Sequence, residues 1–159
     1  MADVFSKSKR SEVMSRIRSR GNKDTEIVLA KILRRHKITG WRRHLQINGR
    51  AALLRSPNIK AARQHRPTVR VRPDFVFPKL KLALFVDGCF WHCCPKHSNL
   101  PVNNRPFWER KLEANRRRDR VVSRTLRAKG WAVLRVWEHE LSRKSEAKLL
   151  GRLERAIAM

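Results

Sequence analysis

The residues that can do chemistry are crowded. Residues 87–97, DGCFWHCCPKH, hold one carboxylate, three cysteines, two histidines, a phenylalanine and a tryptophan. Between residues 27 and 108 there are seventeen Lys or Arg residues and only two acids, Asp74 and Asp87. Asp74 stands early in the apolar run VRPDFVF and Asp87 ends the next, LKLALFVD. An antiparallel hairpin of these two runs brings both carboxylates toward one end. Paired carboxylates there can hold Mg²⁺, a hard cation that takes oxygen ligands and leaves positions for phosphate and water. Such an ion suits phosphodiester hydrolysis. The competing reading of each Asp is a plain ion pair with nearby arginines. His92 lies five residues after Asp87, and a neutral imidazole there can take a proton from water at neutral pH.

A second donor set overlaps the first. Cys89, Cys94 and His97 give C-x4-C-x2-H, and His139 follows in VWEHE. Four N/S ligands from two segments suit tetrahedral Zn²⁺, with Cys93 as an alternative to Cys94. A filled shell makes the ion structural, stapling the segment after the hairpin to a distant one. His36, His44 and His65 lack such company and read as ordinary surface or loop residues. Phe90 and Trp91 lie between Cys89 and His92, with Trp108 and Met14 elsewhere. Core packing is the default for such side chains, but rings held rigidly beside a phosphate-cleaving site could also wedge between base pairs.

The positioning elements follow from periodicity. The spacing predicts a basic helix over 8–20, a helix over 24–36 and a strand over 41–47. A basic loop is expected over 49–73, carrying seven Arg or Lys residues, no acid and Pro57, Pro67 and Pro73. Strands over 71–77 and 80–87, joined by Pro78 and Lys79, read as the hairpin. A basic helix over 106–129, a buried strand over 131–137 and a helix over 144–157 complete the chain. That order implies an α/β domain with a mixed sheet flanked by helices. The domain division is residues 1–22 as a basic arm and 23–159 as one domain with an insertion at about 50–71.

The chain has 159 residues, 39 Lys or Arg against 13 acids and a net charge of +26. A polyanion is the expected partner, nucleic acid first among them. No apolar run is long enough to cross a bilayer and the start MADVFSKSKR is polar, so a cytoplasmic location with reduced thiols is expected.

RPDFVF, LFVDGCFWH, the C-x4-C-x2-H set, PFWERK with NRRRDR, GWAVLRVWEHE and the amino-terminal KSKRSEVMSRIRSRGNKDTEIVLAKIL together resemble the very short patch repair endonucleases. The resemblance implies a restriction-endonuclease-like fold of the PD-(D/E)xK type. It also implies Mg²⁺-dependent nicking 5′ to the thymine of a T:G mismatch, and a structural Zn²⁺. By position it makes Asp74 the principal Mg²⁺ ligand, the backbone carbonyl of Val86 a second metal contact and His92 the base, with Glu26 and Asp119 in support. Cys89, Cys94, His97 and His139 would bind zinc, and Phe90, Trp91 and Trp108 would form the wedge, helped by Met14. Some members of that family carry His where this chain has Asp87, and glycine or His where it has Cys93. Whether Asp87 binds metal stays open here. Mismatched duplex DNA and mismatch-repair proteins are the implied partners, and cutting one strand suits a monomer. Two other readings are a nickase for another DNA structure and a zinc-stabilised binding protein without catalysis.

Overall fold

The computed structural model describes residue 12 and residues 25–50 and 68–158. Three helices are described in full: α1 (Glu26–Arg35), α2 (Arg105–Arg127) and α3 (Glu146–Ile157). The strands are β1 (Arg42–Arg43), β2 (Ile47–Arg50), β3 (Thr68–Val71), β4 (Phe75–Phe77), β5 (Leu82–Asp87) and β6 (Ala132–Trp137). Four of them form a mixed sheet in the order β1-β4-β5-β6. β4 runs antiparallel to β1 and β5, and β6 runs parallel to β5. The parallel step needs a long crossover, which α2 supplies. The α/β architecture expected from the element order is the one observed.

The two faces of the sheet separate by strand alternation. Phe75, Phe77, Leu82 and Leu84 point to one side, where Leu29 and Leu33 of α1 and Leu149 and Leu153 of α3 complete a core. Val76 and Ala83 point to the other, against Leu126 of α2. The helices therefore cover both faces. Gly130, at φ +72°, ends the turn after α2, where the Trp131 N–H closes on the Leu126 carbonyl at 3.1 Å; an L side chain there would be strained.

The expected hairpin forms, with Phe75 opposite Leu84 and Phe77 opposite Leu82, but its connection runs over residues 78–81 and bends at Lys81, φ +47°. The expected strands at 41–47 and 71–77 are each broken. His44 interrupts the first at φ +52°. Pro73, which has no N–H to give a ladder, lies in the break of the second, between Val71 and Phe75. The freed halves pair as an antiparallel ribbon, Ile47 with Val71 and Arg50 with Thr68, so the ends of the expected basic loop are ordered strands. Most of the insertion, the amino-terminal helix and Met14 lie outside the described residues, apart from helical Glu12.

Burial ranks the consequences of truncation. Phe75→Ala is expected to lower unfolding free energy by about 3–5 kcal/mol, whereas Leu80→Ala, at a position 43% exposed, should change it by less than about 0.5 kcal/mol; urea denaturation of both variants measures the contrast.

Candidate active site and cysteine–histidine knot

One cleft at the carboxyl ends of β5 and β6 collects Glu26, Asp74, Asp87, His92, Asp119 and Arg135. Asp74 precedes β4 and meets β5 where the backbone pairing of the two strands has ended. The Val86 N–H donates to its Oδ2 at 2.8 Å. Burial raises the Asp74 carboxyl to about 6 despite that hydrogen bond, and the neighbouring Glu26 and Asp87 charges add to the rise. A buried carboxylate under-supplied with positive charge is a natural cation donor. Glu26, in the first turn of α1, is 5% exposed and is held by Arg43 at 2.5 Å and His44 at 3.1 Å. The His44 N–H in turn donates to the Asp74 carbonyl at 3.2 Å. Ligand atoms of Glu26, His44 and Asp74 all lie within 4.8 Å of one another, close enough to share an ion.

Asp87 is spent differently. Its two oxygens each accept an N–H of Arg135 at 2.6 Å, which is the ion-pair alternative rather than an open ligand. His92 projects from the turn after β5, closed by its own N–H on the Gly88 carbonyl at 3.2 Å. Its Nδ1 lies 2.6 Å from Asp119 Oδ2. Burial alone would raise the Asp119 carboxyl, but the His92 hydrogen bond and the Arg135 charge hold it below the usual range. An ionised Asp119 can only accept, so His92 Nδ1 is the donor in this hydrogen bond. Asn115, one turn before Asp119 on α2, donates to the Trp91 carbonyl at 3.1 Å, so one face of α2 fixes both Trp91 and His92.

Beyond the cleft, Cys89 Sγ lies 3.2 Å from His139 Nδ1, Cys94 Sγ 3.6 Å from the same nitrogen, and Cys94 Sγ 3.7 Å from His97 Nδ1. Tetrahedral ligands at bonds of about 2.0–2.3 Å sit roughly 3.3–3.8 Å apart, so the set matches one four-coordinate ion. Cys93, at φ +55°, is not in the group. The Cys89 N–H donates to Glu138 at 3.0 Å, a contact behind the donor atoms.

Phe90, Trp91, Trp108 and Phe107 form a chain of edge-on and tilted rings with centroids 5.2–6.1 Å apart. Phe90 and Trp91 are half-buried. Trp108 is only 7% exposed and backs the cluster rather than presenting a free face, while Phe107 is 45% exposed.

A family model described as DNA mismatch endonuclease Vsr matches residues 51–98. The type II nicking enzyme V.NaeI of Lentzea aerocolonigenes is 44% identical over 114 residues, 64% of this chain and 69% of that protein. The type II nicking enzyme V.NmeAIP of Neisseria meningitidis is 33% identical over 160 residues, covering 99% of this chain and 97% of its own. The DNA mismatch endonuclease Vsr of Escherichia coli is 32% identical over 163 residues, covering 99% and 88%. This chain belongs to the Vsr family of DNA endonucleases.

Several residues of this Vsr-family cleft, of the contacts behind it and of the neighbouring ring cluster escape a linear reading. Arg135 carries the one available signal, a cation inside the apolar strand AVLRVW, since a buried charge demands a partner. His44 was expected to be ordinary, and nothing in its neighbours marks it. Arg43, Asn115 and Phe107 sit among similar residues and are singled out only by position.

The Asp74 shift gives a pH test without metal. Because its folded value, about 6, exceeds the unfolded one near 3.9, the native state binds more protons between them. Its contribution is therefore present at low pH and is lost as pH rises from about 4 to 6, by up to about 3 kcal/mol. Urea denaturation without added divalent ions should show Asp74→Asn gaining on the wild type across that window. A constant difference from pH 4 to 7 would contradict this.

Proposed function

We propose that this Vsr-family chain is a Mg²⁺-dependent nickase that cuts one strand of duplex DNA 5′ to the thymine of a T:G mismatch. The observation that carries it is the charge-deficient Asp74 carboxylate in one cleft with the His92–Asp119 pair. Asp74 offers hard oxygen, and strand alternation sends the Val86 carbonyl to the same edge as the N–H that meets Asp74. Mg²⁺ bound there supplies Lewis-acid activation of the phosphate and of water. His92 Nε2 takes the proton of the attacking water, while Asp119 keeps the ring oriented and stabilises its charged form. Glu26 supports Asp74 from α1, and Asp87, held by Arg135, orients the cleft instead of binding metal.

Phe90 and Trp91 are the proposed wedge, with Trp108 as its backing and Met14 as a contact from the amino-terminal segment. A step already weakened by mispairing is the least costly to open, so a wedge favours mismatches. Cys89, Cys94, His97 and His139 are proposed to hold a structural Zn²⁺; a closed set of two thiolates and two imidazoles is a zinc donor set, whereas Mg²⁺ prefers oxygen. The nicking-enzyme names of the relatives support cleavage of one strand. A monomer acting on mismatched duplex, with mismatch-repair proteins as partners in the cytoplasm, completes the proposal. Among the described residues no helix is long and apolar enough to cross a membrane.

Nicking of a T:G duplex and of its T:A counterpart in Mg²⁺ tests the reading. The mismatched thymine strand should be cut on its 5′ side, the matched duplex far more slowly, and Asp74→Ala should cut neither. Equal cutting of both duplexes would remove the mismatch claim. His92→Ala should slow the reaction by roughly 10²–10⁴-fold. Elemental analysis should find one zinc per chain, and Cys94→Ser should lose it together with several degrees of melting temperature; a variant melting like the wild type would refute a structural ion.

A further inference from the structure

We infer that Arg135 is a positioning residue of the reaction: one guanidinium clamps Asp87 and Asp119 together and thereby fixes the His92 ring. The inference rests on the nuclease reading of the cleft for its rate test, though not for its spectroscopic one.

Arg135 lies at mid-strand in β6, paired with Phe85 in the parallel register. Its guanidinium carbon sits 4.9 Å from the centre of the Phe85 ring. Asp87, two residues beyond Phe85, shares that face of the sheet, which is why Nε and Nη2 can both reach it, each at 2.6 Å. Nη2 also reaches Asp119 Oδ1 at 3.0 Å. The other oxygen of Asp119 is the one that takes His92 Nδ1 at 2.6 Å. Each Asp119 oxygen thus has one task, and the Arg135 contact sets the plane of the carboxylate from which His92 hangs. Without it, Asp119 could turn about its last torsion and the imidazole would lose its fixed direction.

The same guanidinium decides the role of Asp87. That side chain is 4% exposed, and a carboxylate so placed must be paired. A divalent ion against it would be repelled by the fixed cation already there. Planarity matters as well. Only a fork can hold one carboxylate bidentately and reach a second, so lysine cannot replace it.

The test uses the full chain with Arg135→Ala, Arg135→Lys and the double variant Asp87→Asn/Arg135→Met, which removes the buried charge pair without leaving one partner exposed to apolar surroundings. Single-turnover nicking of a T:G duplex in Mg²⁺ should slow by about 10²-fold or more in Arg135→Ala while duplex affinity changes little. Arg135→Lys should recover only part of the rate, and added guanidinium ion should partly rescue Arg135→Ala. The double variant should fold and remain slow, because Asp119 still lacks its clamp. Long-range ¹H–¹⁵N spectra should show one His92 tautomer, protonated at Nδ1, in the wild type and a mixture in the double variant, whether or not any DNA is cut. A folded double variant with the wild-type rate would mean that Arg135 only neutralises Asp87 and would overturn the inference; so would a single tautomer in that variant.

Discussion

The parallel pairing of β5 with β6 is the constraint on which the site depends. It sets Phe85 beside Arg135 and Asp87 beside Trp137, so both strands end at the same level and leave the sheet in the same direction. Two residues past the end of each stand Cys89 and His139, which meet at 3.2 Å. The segment leaving β5 then carries His92 back over the cleft and Cys94 and His97 into the knot. Open α/β sheets place sites at the carboxyl ends of their strands because the loops there diverge and their backbone groups are free. Here a slip of one residue would turn Asp87 and Arg135 to opposite faces and separate the knot donors as well.

Much of this was legible in the sequence because it is local. The hairpin announces itself through branched and aromatic runs, and C-x4-C-x2-H puts three candidate donors within nine residues. The scarcity of acids in a long basic stretch singled out Asp74 and Asp87, which the fold brings into one cleft although Asp87 is taken up by Arg135. What stayed hidden depends on tertiary geometry. His44 is notable only because a left-handed backbone aims its N–H at Asp74 and its ring at Glu26. Asn115 matters because α2 happens to cross above the turn holding Trp91. The broken strands at 44–46 and 72–74 could not be read from hydrophobicity, since alternation continues across both breaks. Trp108 shows the limit of reading aromatics by motif: its neighbours bury it, and the exposed ring is the adjacent Phe107.

Charge is sorted by depth. The chain carries +26, yet Glu26, Asp74, Asp87 and Asp119 converge on one cleft, while Arg116, Arg117, Arg120 and Arg124 of α2 are exposed. A polyanion is drawn by the outer cations through counterion release, and close approach to four carboxylates would be unfavourable unless cations intervene. Arg43 and Arg135 neutralise Glu26 and Asp87 from within the fold. Among the described residues Asp74 has no such side-chain partner within hydrogen-bond reach, and burial, with the Glu26 and Asp87 charges beside it, raises its carboxyl to about 6. Among the described residues of the cleft, Asp74 is therefore the carboxylate at which an added cation gains most.

The knot and the cleft are not separable devices. They share residues 88–97, whose turns are closed by the His92 N–H on Gly88 and the Cys94 N–H on Cys89 at 2.9 Å. Cys89 near the start of this segment and Cys94 and His97 toward its end gather with His139, and Asp119 and Asn115 hold its middle, so the intervening Phe90, Trp91 and His92 have little freedom. Ordering a ten-residue irregular segment costs roughly 1–2 kcal/mol of backbone entropy per residue, and short turns with few buried apolar atoms cannot offset that. A metal can, because its binding free energy is available only to the folded arrangement. On the zinc proposal such an ion would stabilise the chain chiefly by ordering residues 88–97, and its loss would loosen the His92 turn first, reaching the core of the sheet through Leu141, which shares a short helical turn with His139.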